Sequence, residues 1–140
     1  KEISRSIEGG NVRSLQDYNN QVDEDDERLP WQVVVLDEYA DLTADRDERK
    51  KVEDQLRRVA QKGRAAGIHV IVATQRPSAD VITSVVRSNL PAQLAISVRT
   101  AIDSRIIIDQ AGAEALAGYG DALFRTPAGV LRVQCGIVVP

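Results

Sequence analysis

The sequence predicts a mixed α/β domain built on a three-layer, mostly parallel sheet, and three observations predict it. Short, nearly continuous apolar runs, WQVVVL at 31–36, HVIVAT at 69–74 and QLAISV at 93–98, have the composition of strands buried on both faces. Helical periodicity separates them, and strand–helix–strand alternation calls for the crossovers that join parallel strands. A chain of 140 residues, 43% hydrophobic and 28% charged, matches a globular protein with one core.

The elements follow in order. NVRSLQDYNNQV at 11–22 places Val12, Leu15 and Tyr18 on one face of a short helix, after the breaker Gly9-Gly10. The acidic run DEDDE and Pro30 then mark a loop over 23–30, and the first strand begins. From Arg49, residues Val52, Leu56, Val59, Ala60 and Gly63 recur at helical spacing, with Lys50, Lys51, Arg57 and Arg58 on the other side. Gly67 is a natural left-handed stop for that helix. Ala79 to Arg87 reads as the next helix, and IDSRIIIDQAGAEAL at 102–116 as two short helices split at Gly112. DALFR and VLRVQCGIVV are late strands joined through Pro127 and Gly129.

Charge is segregated along the chain. The five acids of residues 23–27 leave the rest of the chain at +2 out of a formal −3, and a block this dense is a solvated loop. Between Arg49 and Arg105 stand eleven Lys/Arg against four Asp/Glu, a local net of +7, as expected if one face meets a polyanion. No apolar run is long enough to span a bilayer and no leader pattern is present, so any membrane anchor is expected elsewhere. A single cysteine, Cys135, fits a reducing, cytoplasmic setting. The start at Lys1 and the lack of methionine suggest a piece of a longer protein.

The chemistry concentrates in VVVLDEYADL, residues 33–42. Asp37 and Glu38 follow an apolar strand directly, where ligands bind in parallel α/β sheets. Adjacent carboxylates repel and resist burial unless a metal, water or hydrogen-bond network meets them. A hydrated Mg²⁺ is such a partner, with one carboxylate holding the ion and the next polarising a water. Apolar strand, Asp, Glu is the Walker B pattern. A strand ending in an acidic turn gives the same letters, but ATQRP at 73–77 leaves Thr74 and Gln75 at the same sheet edge, one crossover away. An amide there can orient water or contact a γ-phosphate. No G-x-x-x-x-G-K-[ST] loop occurs, so the phosphate cradle is missing and half a nucleotide site is present.

Three strings, VVVLDEYADL, RRVAQKGRAAGIHVIVATQRPSADVITSVVRSNLPAQLAISV and IDSRIIIDQAGAEALAGYGDALF, resemble in order the motor domain of the FtsK/SpoIIIE family of hexameric double-stranded DNA translocases. The likeness runs from about Val12 to about Val138. It implies that residues 1–140 are the C-terminal part of a RecA-like P-loop NTPase core, with the Walker A lysine upstream and a winged-helix module often following. It implies ATP and Mg²⁺ as ligands, duplex DNA as substrate, a homo-hexameric ring and a role in chromosome or plasmid DNA segregation or transfer. Asp37 then matches the Mg²⁺-binding acid, Glu38 the catalytic glutamate and Gln75 the polar sensor; Thr74 is expected to bind the nucleotide from its place at the same sheet edge. Arg64 matches an arginine that reaches the neighbouring subunit's γ-phosphate. Arg76, Arg87 and Arg105 match basic positions of the pore loops. Ala101 departs from the pattern, standing where lysine is common, and Arg99 is the nearest substitute.

Competing readings are a related ring ATPase that moves conjugating DNA or secreted protein, and a non-catalytic interface domain with vestigial Asp37 and Glu38. Each residue also has a plainer role: Arg64 as a helix-end cation, Gln75 as a turn residue before Pro77, and the arginines in surface salt bridges. The fragment alone is expected to lack ATPase activity.

Overall fold

A computed structural model describes residues 12–22 and 27–136 of the protein. Gly9-Gly10 and most of the acidic run lie outside the described residues. The chain divides into two compact units, residues 1–74 and 75–140.

In the first unit, α1 (Leu15–Asn19) starts at Ser14, whose hydroxyl accepts the Asp17 N–H at 3.1 Å. Val12 and Leu15 are buried, as their spacing predicts. Strand β1 (Gln32–Leu36) leads into the short helix α2 (Tyr39–Leu42). Helix α3 (Arg46–Gly63) is capped by Asp45, whose carboxylate accepts the N–H groups of Asp47 and Glu48 at 2.9 and 3.0 Å. It therefore begins three residues before Arg49, where apolar spacing alone starts it. After Arg64 the chain turns through Gly67 at φ 71°, and a side chain there would overlap Leu15. Strand β2 (Ile68–Val72) then pairs in parallel with β1, Gln32 opposite Ile68 and Leu36 opposite Val72.

The expectation that β1 is buried on both faces is corrected. Val33 and Val35 are each 59% exposed and Ile71 is 53% exposed, beside an exposed Trp31 stacked on His69 at 5.5 Å between ring centroids. Among the described residues β1 is hydrogen-bonded to β2 alone. Helix α3 packs along β2, where Ile68, Val70 and Val72 are half-buried while His69 and Ile71 are exposed. Among the described residues the opposite face has no such cover.

In the second unit, α4 (Ser84–Asn89) begins later than Ala79. The Ile82 N–H bonds to the Ser78 carbonyl at 2.8 Å in a turn, and the Thr83 hydroxyl caps the helix. Strand β3 (Gln93–Ala95) is shorter than the run 93–98 and is not a further parallel strand. It pairs antiparallel with β4 (Asp121–Thr126), which pairs antiparallel with β5 (Gly129–Gln134). Helix α5 (Ala101–Ile108) opens with a reciprocal cap between Thr100 and Asp103 and stops at Asp109, φ 57°. Past Gly112 a single 3₁₀ turn, Ala113–Ala115, completes the predicted split. Ala95, Ile108 and Ala113 form the core, packed by Val98, Ile107, Leu116 and Leu123.

Candidate functional site

The carboxyl ends of β1 and β2 bring together Asp37, Glu38 and Thr74. The ladder continues past both strands, with the Ala73 N–H bonding to the Leu36 carbonyl at 2.9 Å and the Tyr39 N–H to the Ala73 carbonyl at 2.8 Å. These two bonds lock the residues that carry the chemistry side by side.

Asp37 is exposed, and its Oδ1 accepts the Glu38 N–H at 3.0 Å. Its second oxygen has no partner among the described residues, so the group fits a hydrated divalent cation. Glu38 caps α2 from a left-handed backbone, φ 42° and ψ 64°. A residue other than glycine in that region carries strain, which persists only where the surroundings over-determine it. Its Oε1 accepts the Thr74 hydroxyl at 2.7 Å.

Tyr39 anchors the arrangement from below. The ring is buried, while its hydroxyl has no hydrogen-bond partner among the described residues. Burial first, and then the Glu53 carboxylate, push the phenol up to about 12, against a smaller opposing effect of Arg49. Thr43 closes the helical turn through a 2.8 Å hydrogen bond from its hydroxyl to the Tyr39 carbonyl.

Arg64 caps the C-terminal end of α3 and is exposed, with no ion pair among the described residues. It precedes β2, and the neighbouring Gly67 carbonyl accepts the Gln32 N–H at 2.9 Å. Arg64 therefore belongs to the amino edge of the parallel pair, about 13 Å of strand from the edge that holds Glu38. It is not assembled with the carboxylates.

Gln75 opens the second unit and is exposed, as are Arg76 and Arg105. Arg105 lies in the last turn of α5. The Glu114 carboxyl is lowered mainly by backbone N–H groups, Gly112 first, with Arg105 adding to the effect. Arg87 is engaged within the unit: its Nη1 meets Asp109 Oδ1 at 3.2 Å. Arg125 takes the other Asp109 oxygen at 2.7 Å and donates to Gln93 Oε1 at 2.9 Å. That chain of charges escaped the sequence reading, because Arg87 and Asp109 are 22 residues apart with no local pattern joining them. Asp121 and Arg132 escaped it too. Arg132 Nε and Nη2 donate to the two Asp121 oxygens at 2.8 and 2.6 Å, and the Ala117 N–H adds a third bond at 2.9 Å. An acid opening a strand, with an arginine in the facing strand, was the available signal.

A family model described as FtsK/SpoIIIE family matches residues 4–79. The chain is 52% identical over 131 residues, 92% of its length, to DNA translocase FtsK of Sporosarcina ureae. It is 57% identical over 101 residues, 72% of its length, to DNA translocase FtsK 1 of Neisseria meningitidis serogroup A. It spans 16% and 12% of those two relatives. In fold it resembles the pCW3 conjugation coupling protein TcpA with ATPγS, at TM-score 0.82 and 26% identity over 95% of this chain and 39% of that one. It also resembles the cytoplasmic domain of the Type VII secretion ATPase EccC of Thermomonospora curvata, at TM-score 0.74 and 23% identity over 95% of this chain and 16% of that one. The fold is that of α/β ATPase domains.

Proposed function

Because the chain belongs to the FtsK/SpoIIIE family, we propose that it supplies the Walker B part of an ATP-driven translocase that moves double-stranded DNA. The observation that carries the reading is the carboxyl-edge cluster, with an exposed Asp37 carboxylate beside Glu38, whose backbone is left-handed and whose carboxylate accepts the Thr74 hydroxyl. Asp37 would hold a hydrated Mg²⁺, and the ion would supply positive charge to offset that of the transferring phosphoryl group. Glu38 takes the proton of the attacking water. The phosphate cradle comes from a Walker A segment that is not among these residues. Without it the isolated chain is inactive.

Gln75 orients the water or senses the γ-phosphate in this reading, while Arg64 serves the active site of the adjacent subunit in a hexameric ring. The position of Arg64 at the opposite edge from Glu38 supports service in trans rather than in cis. Arg76, Arg87 and Arg105 contact the phosphate backbone, giving affinity without sequence information. Arg87 has to leave or share Asp109 to do so. Among the described residues no helix is long and apolar enough to cross a membrane. The motor works on the cytoplasmic side in segregating DNA, with any anchor in other parts of the protein. The structural likeness to a conjugation coupling protein favours conjugative DNA as the second substrate to test. The 52–57% identity to proteins named DNA translocase favours the first reading.

The test uses the complete translocase. Glu38→Gln is expected to keep ATP binding within about twofold while turnover falls by at least about a thousandfold, since the amide preserves shape but is no base. Asp37→Ala is expected to weaken Mg²⁺-dependent binding instead. Unchanged hydrolysis in both variants contradicts the Walker B assignment.

A further inference from the structure

Thr74 stands at the edge where a nucleotide binds, and its simplest role there is a polar contact to the phosphates. A threonine hydroxyl has one proton to donate. In this structure that proton goes to Glu38 Oε1, at the short distance of 2.7 Å. Phosphate oxygens only accept, so a Thr74 hydroxyl engaged with Glu38 has no donor left for them. We infer that Thr74 is a positioning residue for the general base, acting through the Glu38 carboxylate rather than on the nucleotide. The inference rests on the proposed catalytic role of Glu38.

Three features make the contact fit for positioning. Threonine is β-branched, so few rotamers are open to it and the direction of its hydroxyl is largely set by the backbone. That backbone is fixed, because Ala73 exchanges bonds with both Leu36 and Tyr39, on either side of the Asp37–Glu38 pair. On the other side of the contact, the buried Tyr39 ring and the left-handed backbone at Glu38 fix where the glutamate side chain starts. A glutamate otherwise has several rotamers to order before it can take a proton, and ordering them costs conformational entropy. The Thr74 hydroxyl selects among them in advance. The contact bridges residues 36 apart, joining the ends of both parallel strands at the one atom where the chemistry needs precision.

The experiment is steady-state ATP hydrolysis, with nucleotide binding measured alongside, on the complete translocase carrying Thr74→Val, Thr74→Ser and each of these with Glu38→Gln. Valine keeps the branched shape and removes the hydroxyl. Thr74→Val is expected to lower kcat about ten- to a hundredfold with KM and ATP affinity within about twofold, the signature of a misplaced catalytic group. Thr74→Ser, which retains the donor, restores most of the rate. On the Glu38→Gln background, Thr74→Val reduces the residual rate no further. A raised ATP Kd with kcat unchanged overturns the inference in favour of a nucleotide contact. So does an equal rate loss with and without Glu38. Full turnover by Glu38→Gln alone overturns the parent reading, and is told apart because it requires no change at Thr74.

Discussion

The parallel pair β1–β2 and the antiparallel sheet β3–β4–β5 treat their charges in opposite ways. In the second unit Asp109 is shared by Arg87 and Arg125, and Asp121 is clamped by Arg132. In the first, the ion pairs Lys51–Glu48 and Arg57–Asp54 are solvated i,i+3 contacts on α3, while Asp37 and Arg64 stand open at opposite edges. Apolar groups do not divide this way between the units: the first buries Leu15 and Tyr39 and the second Ile108, while the first exposes Val33, Val35 and Ile71 and the second Ile96, Ile102 and Leu131. Asp109 and Asp121 are held by arginines from other elements, whereas one oxygen of Asp37 has no partner among the described residues. A strongly apolar strand with uncovered faces has the composition for burial that the described residues do not provide.

Two substitutions compare the enclosed Ile108 with the exposed face of β1 in stability. Ile108→Ala removes a side chain that is 1% exposed and is expected to cost about 2–5 kcal/mol by chemical denaturation. Val35→Ala, in a strand of equally apolar letters, is expected to change stability by no more than about 0.5 kcal/mol. A large loss at Val35 shows that its exposed face is covered in solution.

A smaller effect concerns the paired acids. Asp121 is lowered from 3.8 to about 2, first by the hydrogen bonds from Arg132 and then by the Ala117 N–H. Its folded value lies below its unfolded one, so its contribution to stability is full above about pH 4 and is lost as pH falls toward about 2. Asp121→Asn is therefore expected to flatten the acid limb of the stability curve in that window, relative to the parent chain. A parallel curve removes the Asp121–Arg132 clamp from the account of acid stability.

The strands were legible because β-branched runs end at chemically distinct residues, and β1 and β2 fall within two residues of their predicted limits. Partner choice was less so. QLAISV resembles the other apolar runs in composition, yet β3 pairs with β4 because residues 121–134 form a hairpin that presents an edge to it, and pairing across 32 residues leaves no local mark. The helix over 79–87 started late because capping by Thr83 outweighed apolar spacing. At the candidate site, the placement of Asp37, Glu38 and Thr74 at one edge followed from strand direction alone. The engagement of Arg87 by Asp109 did not, since an ion pair between separate elements depends on packing that no periodicity encodes.

Subunit mixing decides whether Glu38 of one subunit and Arg64 of its neighbour complete a shared active site in the ring. Arg64→Ala is expected to lower turnover about 10³- to 10⁵-fold with ATP affinity retained, and Glu38→Gln to lower it by at least about a thousandfold. Mixed rings of the two variants contain sites with an intact Glu38 on one side and an intact Arg64 on the other, so hydrolysis should reappear and peak at intermediate ratios. No recovery at any ratio, in rings shown to exchange subunits, contradicts the claim and leaves Arg64 as a charge at the end of α3.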